Sequence, residues 1–199
     1  MQAMTVEQAR AFYEAGAPLL DLPPPKIVRC EDLILEGASG LEVKARLYAD
    51  AVGTPLPVLV YFHGGGFTIG SPATHDVLCR ELANGSGCAV FAIDYRMGPE
   101  HRFPAAVDDA VTTFRWLAAN AAGLGLDPDR IAVAGDSAGG TLAAVVSQLT
   151  RGEVHRPWLQ WLIYPCTDLG GTTPSHESCG SGFLLSREDM AWVGSHYLT

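Results

Sequence analysis

Basic charge is scarce in this 199-residue chain: 13 Lys and Arg stand against 22 Asp and Glu, for a formal net charge of -9 at pH 7. No run of Lys or Arg forms the cationic surface that releases counterions from phosphates, so nucleic acid is not an expected partner. Long apolar runs are missing as well. No stretch approaches the roughly 18 residues that a bilayer demands, and the amino terminus, MQAMTVEQARAFYEAG, mixes charge with apolar residues where a secretory signal would place a basic segment before an apolar one. No membrane partner is expected, and the chain reads as cytoplasmic. Cysteine is sparse and odd in number. Cys30, Cys79, Cys88, Cys166 and Cys179 include no CxxC pair, which argues against both a disulfide framework and a zinc site. They are expected to be buried thiols outside the chemistry.

What remains is an ordinary globular composition, 48% apolar and 18% charged, long enough for one sizeable core. Thr5 and Gln8 make a capping-box pattern that opens a helix with Val6, Ala9, Phe12 and Tyr13 on one face, ending near Gly16-Ala17-Pro18. Pro23-Pro24-Pro25 then forms a stiff connector that splits this arm from the main domain. Two strand-like segments, Cys30 to Leu35 and Leu41 to Tyr48, flank a glycine-containing turn and should pair antiparallel at a sheet edge.

Beyond them the pattern changes to short, uniformly apolar runs: Val58 to Phe62, Ala89 to Ile93, Ile131 to Ala134 and Leu159 to Tyr164. Such strands separated by helical stretches predict a mostly parallel sheet covered on both faces, an α/β fold. In the helix after Phe103, Pro104 suits the first turn. Asp108 and Asp109 suit the positive end of the dipole, and Val107, Ala110, Val111, Phe114, Leu117 and Ala118 form the apolar stripe. Gly123 marks its expected end.

Two glycine motifs carry the chemistry. Gly135-Asp136-Ser137-Ala138-Gly139-Gly140 fits a G-x-S-x-G nucleophile elbow, and it lies between an apolar strand and an Ala-rich helix, as that motif must. A serine on so sharp a turn has its hydroxyl pushed above the sheet, and residues two positions to either side, Gly135 and Gly139, must be small. The Ala138 N–H falls at a helix start, where donors are free and the dipole favours negative charge. A glycine-rich turn can merely link strand to helix, but a second motif shifts the balance. His63-Gly64-Gly65-Gly66-Phe67 follows the first buried strand and matches the HGGG-type loop whose N–H groups complete an oxyanion hole. Neither GK[ST] nor GxGxxG accompanies it, so a nucleotide site is poorly supported.

With Phe67, Gly70-Ser71, Asp94-Tyr95-Arg96, Pro99-Glu100-His101, Phe103 to Ala106, Tyr164-Pro165 and Asp168, these motifs resemble, in order, the hormone-sensitive-lipase-like family, the bacterial family IV esterases. The resemblance implies an α/β-hydrolase fold with a partial helical cap, no metal or cofactor, and hydrolysis of short-to-medium acyl carboxylic esters. Residues 1–29 would form a cap arm, 30–184 an incomplete hydrolase core, and 185–199 the start of a second cap segment. It further implies Ser137 as nucleophile and the N–H groups of Gly65, Gly66 and Ala138 as oxyanion donors. His63, Gly64, Asp136 and Gly139 would be structural near the site. Arg96, Glu100 and Asp168 are expected as a buried polar scaffold beneath it.

The family's triad runs serine, acid, histidine, and the chain is expected to stop at Thr199 before its acid and histidine, so residues 1–199 on their own are expected to show little or no turnover. The last segment reads as a helix start, with Ser186 and Asp189 as a capping box and Met190, Val193, Tyr197 and Leu198 on one face. Of the later histidines, His155 should lie on the far side of the sheet, while His176 and His196 reach the correct rim without the family's histidine context. The strand after Trp158 should leave an exposed apolar edge. The expected partner is a small-molecule ester, with a homo-oligomer left open. The alternative reading is a hydrolase-fold binding or regulatory module with an incomplete triad.

Overall fold

The computed structural model describes residues 3–36, 42–53, 55–171 and 173–198. Helix α1 (Val6–Leu20) opens on the expected capping box, in which the Thr5 side chain accepts from Gln8 N–H. It runs a turn past the expected end, with Pro18 inside it: this close to the carboxyl end the missing N–H costs a single bond. Its apolar face is thinner than expected. Ala9 is buried, but Phe12 is 67% exposed.

Strands β1 (Arg29–Glu36) and β2 (Glu42–Ala49) pair antiparallel, Arg29 opposite Ala49 and Glu36 opposite Glu42. The turn expected between them, 37–41, lies outside the described residues. Strands β3 (Leu56–Phe62), β4 (Ala89–Asp94), β5 (Leu126–Asp136) and β6 (Gln160–Ile163) are parallel to one another, and the six-stranded order is β1-β2-β4-β3-β5-β6. β1 holds one edge, as expected, and β6 the other.

The strands read as continuous apolar runs because both faces are covered. Helix α2 (Asp76–Ser86) packs Cys79 and Ala83 against Tyr48, Tyr61, Val90, Ala92 and Ala134 on one face. Helices α3 (Ala105–Asn120) and α4 (Ala138–Leu149) cover the other, where Ala110, Phe114, Leu117, Leu142 and Val146 meet Val60, Phe62, Phe91 and Val133. A 3-10 turn, Ala121–Leu124, follows α3 and ends at Gly125. Pro104 is the residue capping α3 and not part of its first turn. Two short helices complete the chain, α5 (Pro174–Ser178) and α6 (Arg187–Tyr197). The Ser186–Asp189 capping box opens α6 as expected.

At the β6 edge Trp158, Leu159, Trp161 and Tyr164 are all exposed. The expectation of buried cysteines holds for Cys79 alone: Cys88 and Cys166 are half-buried, and Cys30 and Cys179 are exposed. No helix among the described residues is long and apolar enough to cross a membrane.

Candidate active site

Strands β3 and β5 are neighbours, with Phe62 paired to Gly135, so their carboxyl ends bring the two glycine motifs side by side. β5 stops at Asp136, α4 begins at Ala138, and Ser137 between them has φ 52° and ψ -117°. Such a conformation costs a non-glycine residue about 1–3 kcal/mol and persists only where its surroundings over-determine it. Here they do. Ser137 N–H donates to Ile163 O at 2.9 Å, and Thr141 N–H donates to Ser137 O at 3.1 Å. A Cβ on Gly135 would strike the Gly139 backbone and the Phe62 carbonyl, and one on Gly139 the Phe62 and His63 carbonyls, so the strand and helix close up only because both are glycine. Ala138 is the first residue of α4, where N–H groups lack intrahelical acceptors.

In the loop after β3, Gly65, Gly66 and Phe67 have φ of 119°, 61° and 58°. Gly65 O accepts from Thr68 N–H at 3.1 Å and Ile69 N–H at 3.0 Å. His63 Nδ1 donates to Gly64 O at 2.7 Å. A trans peptide points its C=O and N–H in opposite directions, so pinning these two carbonyls turns the N–H groups of Gly65 and Gly66 the other way. His63 is buried, stacks on Tyr95 with ring centroids 4.3 Å apart, and is lowered to a pKa of about 4 by burial and by the neighbouring His75. It is therefore a neutral strut for the loop.

Asp136 joins the motifs. One oxygen of its carboxylate, Oδ1, accepts from Gly64 N–H at 2.9 Å and Tyr61 O–H at 2.8 Å, and lies 3.3 Å from His75 Nε2. Burial opposes its charge, but His75, Tyr61 and the Gly64 N–H together outweigh that and hold its pKa below the ordinary carboxylate value. Burial and the adjacent Asp136 push the Tyr61 phenol well up, so it stays a donor.

Two helices close over this floor. From α6, Val193 sits so close that a Cβ on Gly66 would meet its methyl groups at 2.7 to 2.9 Å. Tyr197 stacks on Phe67, with centroids 4.0 Å apart, and its carbonyl accepts from Phe103 N–H at 2.8 Å. From α1, Arg10 donates to Thr68 O and Gly98 O, both at 2.8 Å, and forks onto the Glu100 carboxylate. One turn on, Glu14 accepts from the Ser71 hydroxyl at 2.6 Å.

The structure thus brings Ser137, Ala138, Gly64, Gly65, Gly66, His63, Asp136 and Gly139 to one place. The polar scaffold needs correction. Arg96 pairs with Asp109, a carboxylate at 0% exposure that donors on Arg96 reach at 2.8 to 3.0 Å. Glu100 and Asp168 are exposed, the first held by Arg10 and the second accepting from Gly170 N–H at 2.7 Å. The sequence alone assigns no role at the site to Tyr61, His75, Tyr95, Arg10 or Val193. Among the described residues no hydrogen bond links Ser137 to a histidine: His176 Nδ1 meets Thr173 Oγ1 at 2.6 Å, and His196 packs edge-on to Trp192. Nor do the described residues include a cluster of three or more His, Cys, Asp or Glu able to hold a metal ion.

A family model for the alpha/beta hydrolase fold matches residues 59–199. The chain is 45% identical over 196 residues to carboxylic ester hydrolase LipN of Mycobacterium tuberculosis, covering 95% of this chain and 50% of that protein. It is 38% identical over 204 residues to ethyl acetate hydrolase of Pseudomonas putida, covering 100% and 64%. Among solved structures, an esterase of Pyrobaculum calidifontis superposes with a TM-score of 0.89 at 42% identity, covering 100% of this chain and 67% of that one. A thermophilic carboxylesterase cloned from a metagenomic library gives 0.93 at 41%, covering 100% and 69%. The chain therefore spans between half and two thirds of the two sequence relatives' length.

Proposed function

This chain belongs to the alpha/beta hydrolase fold family, in its hormone-sensitive-lipase-like branch, and on that premise we propose that it carries the nucleophile and oxyanion hole of a serine carboxylesterase acting on short-to-medium acyl esters. One observation carries the reading: the strained Ser137 and the turned-out N–H groups of Gly65 and Gly66 stand on adjacent strand ends, joined by the hydrogen bond from Gly64 to Asp136.

In this reading Ser137 Oγ attacks the ester carbonyl carbon as a base takes its proton, and the carbonyl oxygen becomes an oxyanion held by the N–H groups of Gly65, Gly66 and Ala138. Collapse expels the alcohol and leaves an acyl group on Ser137, which water then removes. Donors already aimed by the His63 and Thr68–Ile69 contacts need no reorganisation when the charge develops, which is where such a hole gains its effect. No residue within 1–199 is assigned as the base.

The arm 1–29 and the segment from 185 act as the cap in this proposal, with Val193 above Gly66 limiting the depth of the acyl pocket. A relative named ethyl acetate hydrolase fits a small acyl group. The test is a panel of p-nitrophenyl esters of increasing chain length. Highest kcat/KM at chains of a few carbons supports the proposal, and a preference for long acyl chains or for peptide bonds refutes it.

A further inference from the structure

His75 lies outside both glycine motifs, and the catalytic roles above leave it unused. It precedes α2 as its capping residue, yet makes no side-chain cap bond. Its ring is instead buried, at 7% exposure, and turned under the active-site floor. Nε2 is 3.3 Å from Asp136 Oδ1 and Nδ1 is 2.9 Å from Thr74 Oγ1. The Thr74 hydroxyl is itself seated on Ser71, 3.0 Å from its N–H and 2.9 Å from its carbonyl. The ring packs tilted against Tyr61 and His63, with centroids 6.1 and 5.7 Å away. A buried side chain with a polar partner at each nitrogen and two rings packed beside it has little freedom to turn.

The contact with Asp136 is attractive only if Nε2 carries a hydrogen, because a carboxylate oxygen can only accept. Nε2 faces the carboxylate immediately before the nucleophile at 3.3 Å, and the oxygen it faces is the one that holds Gly64 N–H. An unbalanced carboxylate beside the place where an ester oxygen becomes negative would oppose that charge, and a half-satisfied buried carboxylate would not hold its neighbours firmly. A donor at His75 meets both needs.

We propose that His75 is a positioning residue for ester hydrolysis: by donating to the Asp136 carboxylate it keeps the serine elbow and the glycine loop in register and offsets negative charge next to the oxyanion. This inference rests on the esterase reading for its kinetic consequence, though not for its structural one.

The experiment uses His75→Leu, which removes the donor, and His75→Gln, whose amide N–H restores one. Both are checked for folding by circular dichroism. Two readouts are taken: hydrogen exchange at the Gly64 amide, and steady-state hydrolysis of p-nitrophenyl butyrate. His75→Leu should expose the Gly64 amide to faster exchange and lower kcat by roughly 10- to 100-fold, the range expected when distant support for a site is lost. KM should stay within about twofold, because the effect belongs to the transition state. His75→Gln should recover part of both losses, and if the leucine variant does not fold, a partial loss in the glutamine variant supports the same conclusion. Wild-type Gly64 protection and kcat in the folded variants would overturn it, as would a change confined to KM. If a protein that carries its acid and histidine hydrolyses no ester, the esterase reading falls, while Gly64 exchange still decides whether His75 holds the loop.

Discussion

The N–H of Gly64 donates to Asp136 Oδ1 at 2.9 Å, so the loop after β3 is tied directly to the residue before Ser137. The same oxygen serves Tyr61 and His75. Replacing Asp136 with Ala leaves three buried donors without an acceptor, at about 1–3 kcal/mol each. Asp136→Ala should lose at least about 3 kcal/mol of stability in urea unfolding, and Asp136→Asn, which keeps an acceptor oxygen, should lose less. Equal midpoints for both variants and the unmodified chain would show that the tie contributes nothing.

Both glycine motifs were legible in the sequence because steric necessity writes them there: Gly135 and Gly139 touch backbone across a gap that admits no Cβ, and no other residue type satisfies that. The parallel sheet was legible through its uniformly apolar runs and the α3 stripe through periodicity. The Asp136 network was not, since its partners Tyr61 and His75 come from β3 and the start of α2, elements that only the fold brings together. Arg10 was invisible for another reason. Its acceptors at Thr68 and Gly98 are backbone carbonyls, which leave no mark in the amino-acid code. Glu100 and Asp168 were expected to be buried because they neighbour core strands, but both are exposed, the first paired with Arg10 from α1 and the second with its neighbour Gly170. Phe12 shows the limit of periodicity, which finds an apolar face without saying whether anything covers it.

His63 gives a pH dependence with a definite sign. Buried and neutral, it has a pKa of about 4 in the folded chain against about 6.5 when unfolded. The unfolded chain therefore takes up a proton first as pH falls. The contribution is fully present above about pH 6.5 and is lost between there and about 4, amounting to roughly 3 kcal/mol. Urea unfolding at a series of pH values should show this decline in the unmodified chain and a shallower one in His63→Gln. Parallel profiles for the two would contradict the assignment.

Gly65 has φ 119°, and a Cβ there would collide with the Ile69 carbonyl. Gly65→Val should displace the loop and its N–H, and loss of one oxyanion donor typically costs about 100- to 1,000-fold in rate. The loss should fall on kcat more than on KM. Kinetics at the level of the unmodified chain would reduce the loop to a linker.

The central claim is that Ser137 is the nucleophile of an ester hydrolase, and covalent trapping tests it most directly. The protein and its Ser137→Ala variant are treated with an alkyl fluorophosphonate, digested and read by mass spectrometry, with p-nitrophenyl ester turnover followed in parallel. The account predicts a single phosphonyl adduct on the peptide carrying Ser137, with adduct and turnover both lost in Ser137→Ala while the fold persists. An adduct elsewhere, or turnover surviving in Ser137→Ala, would contradict it, and a protein that carries its acid and histidine yet neither labels nor hydrolyses would leave the binding-module reading in its place.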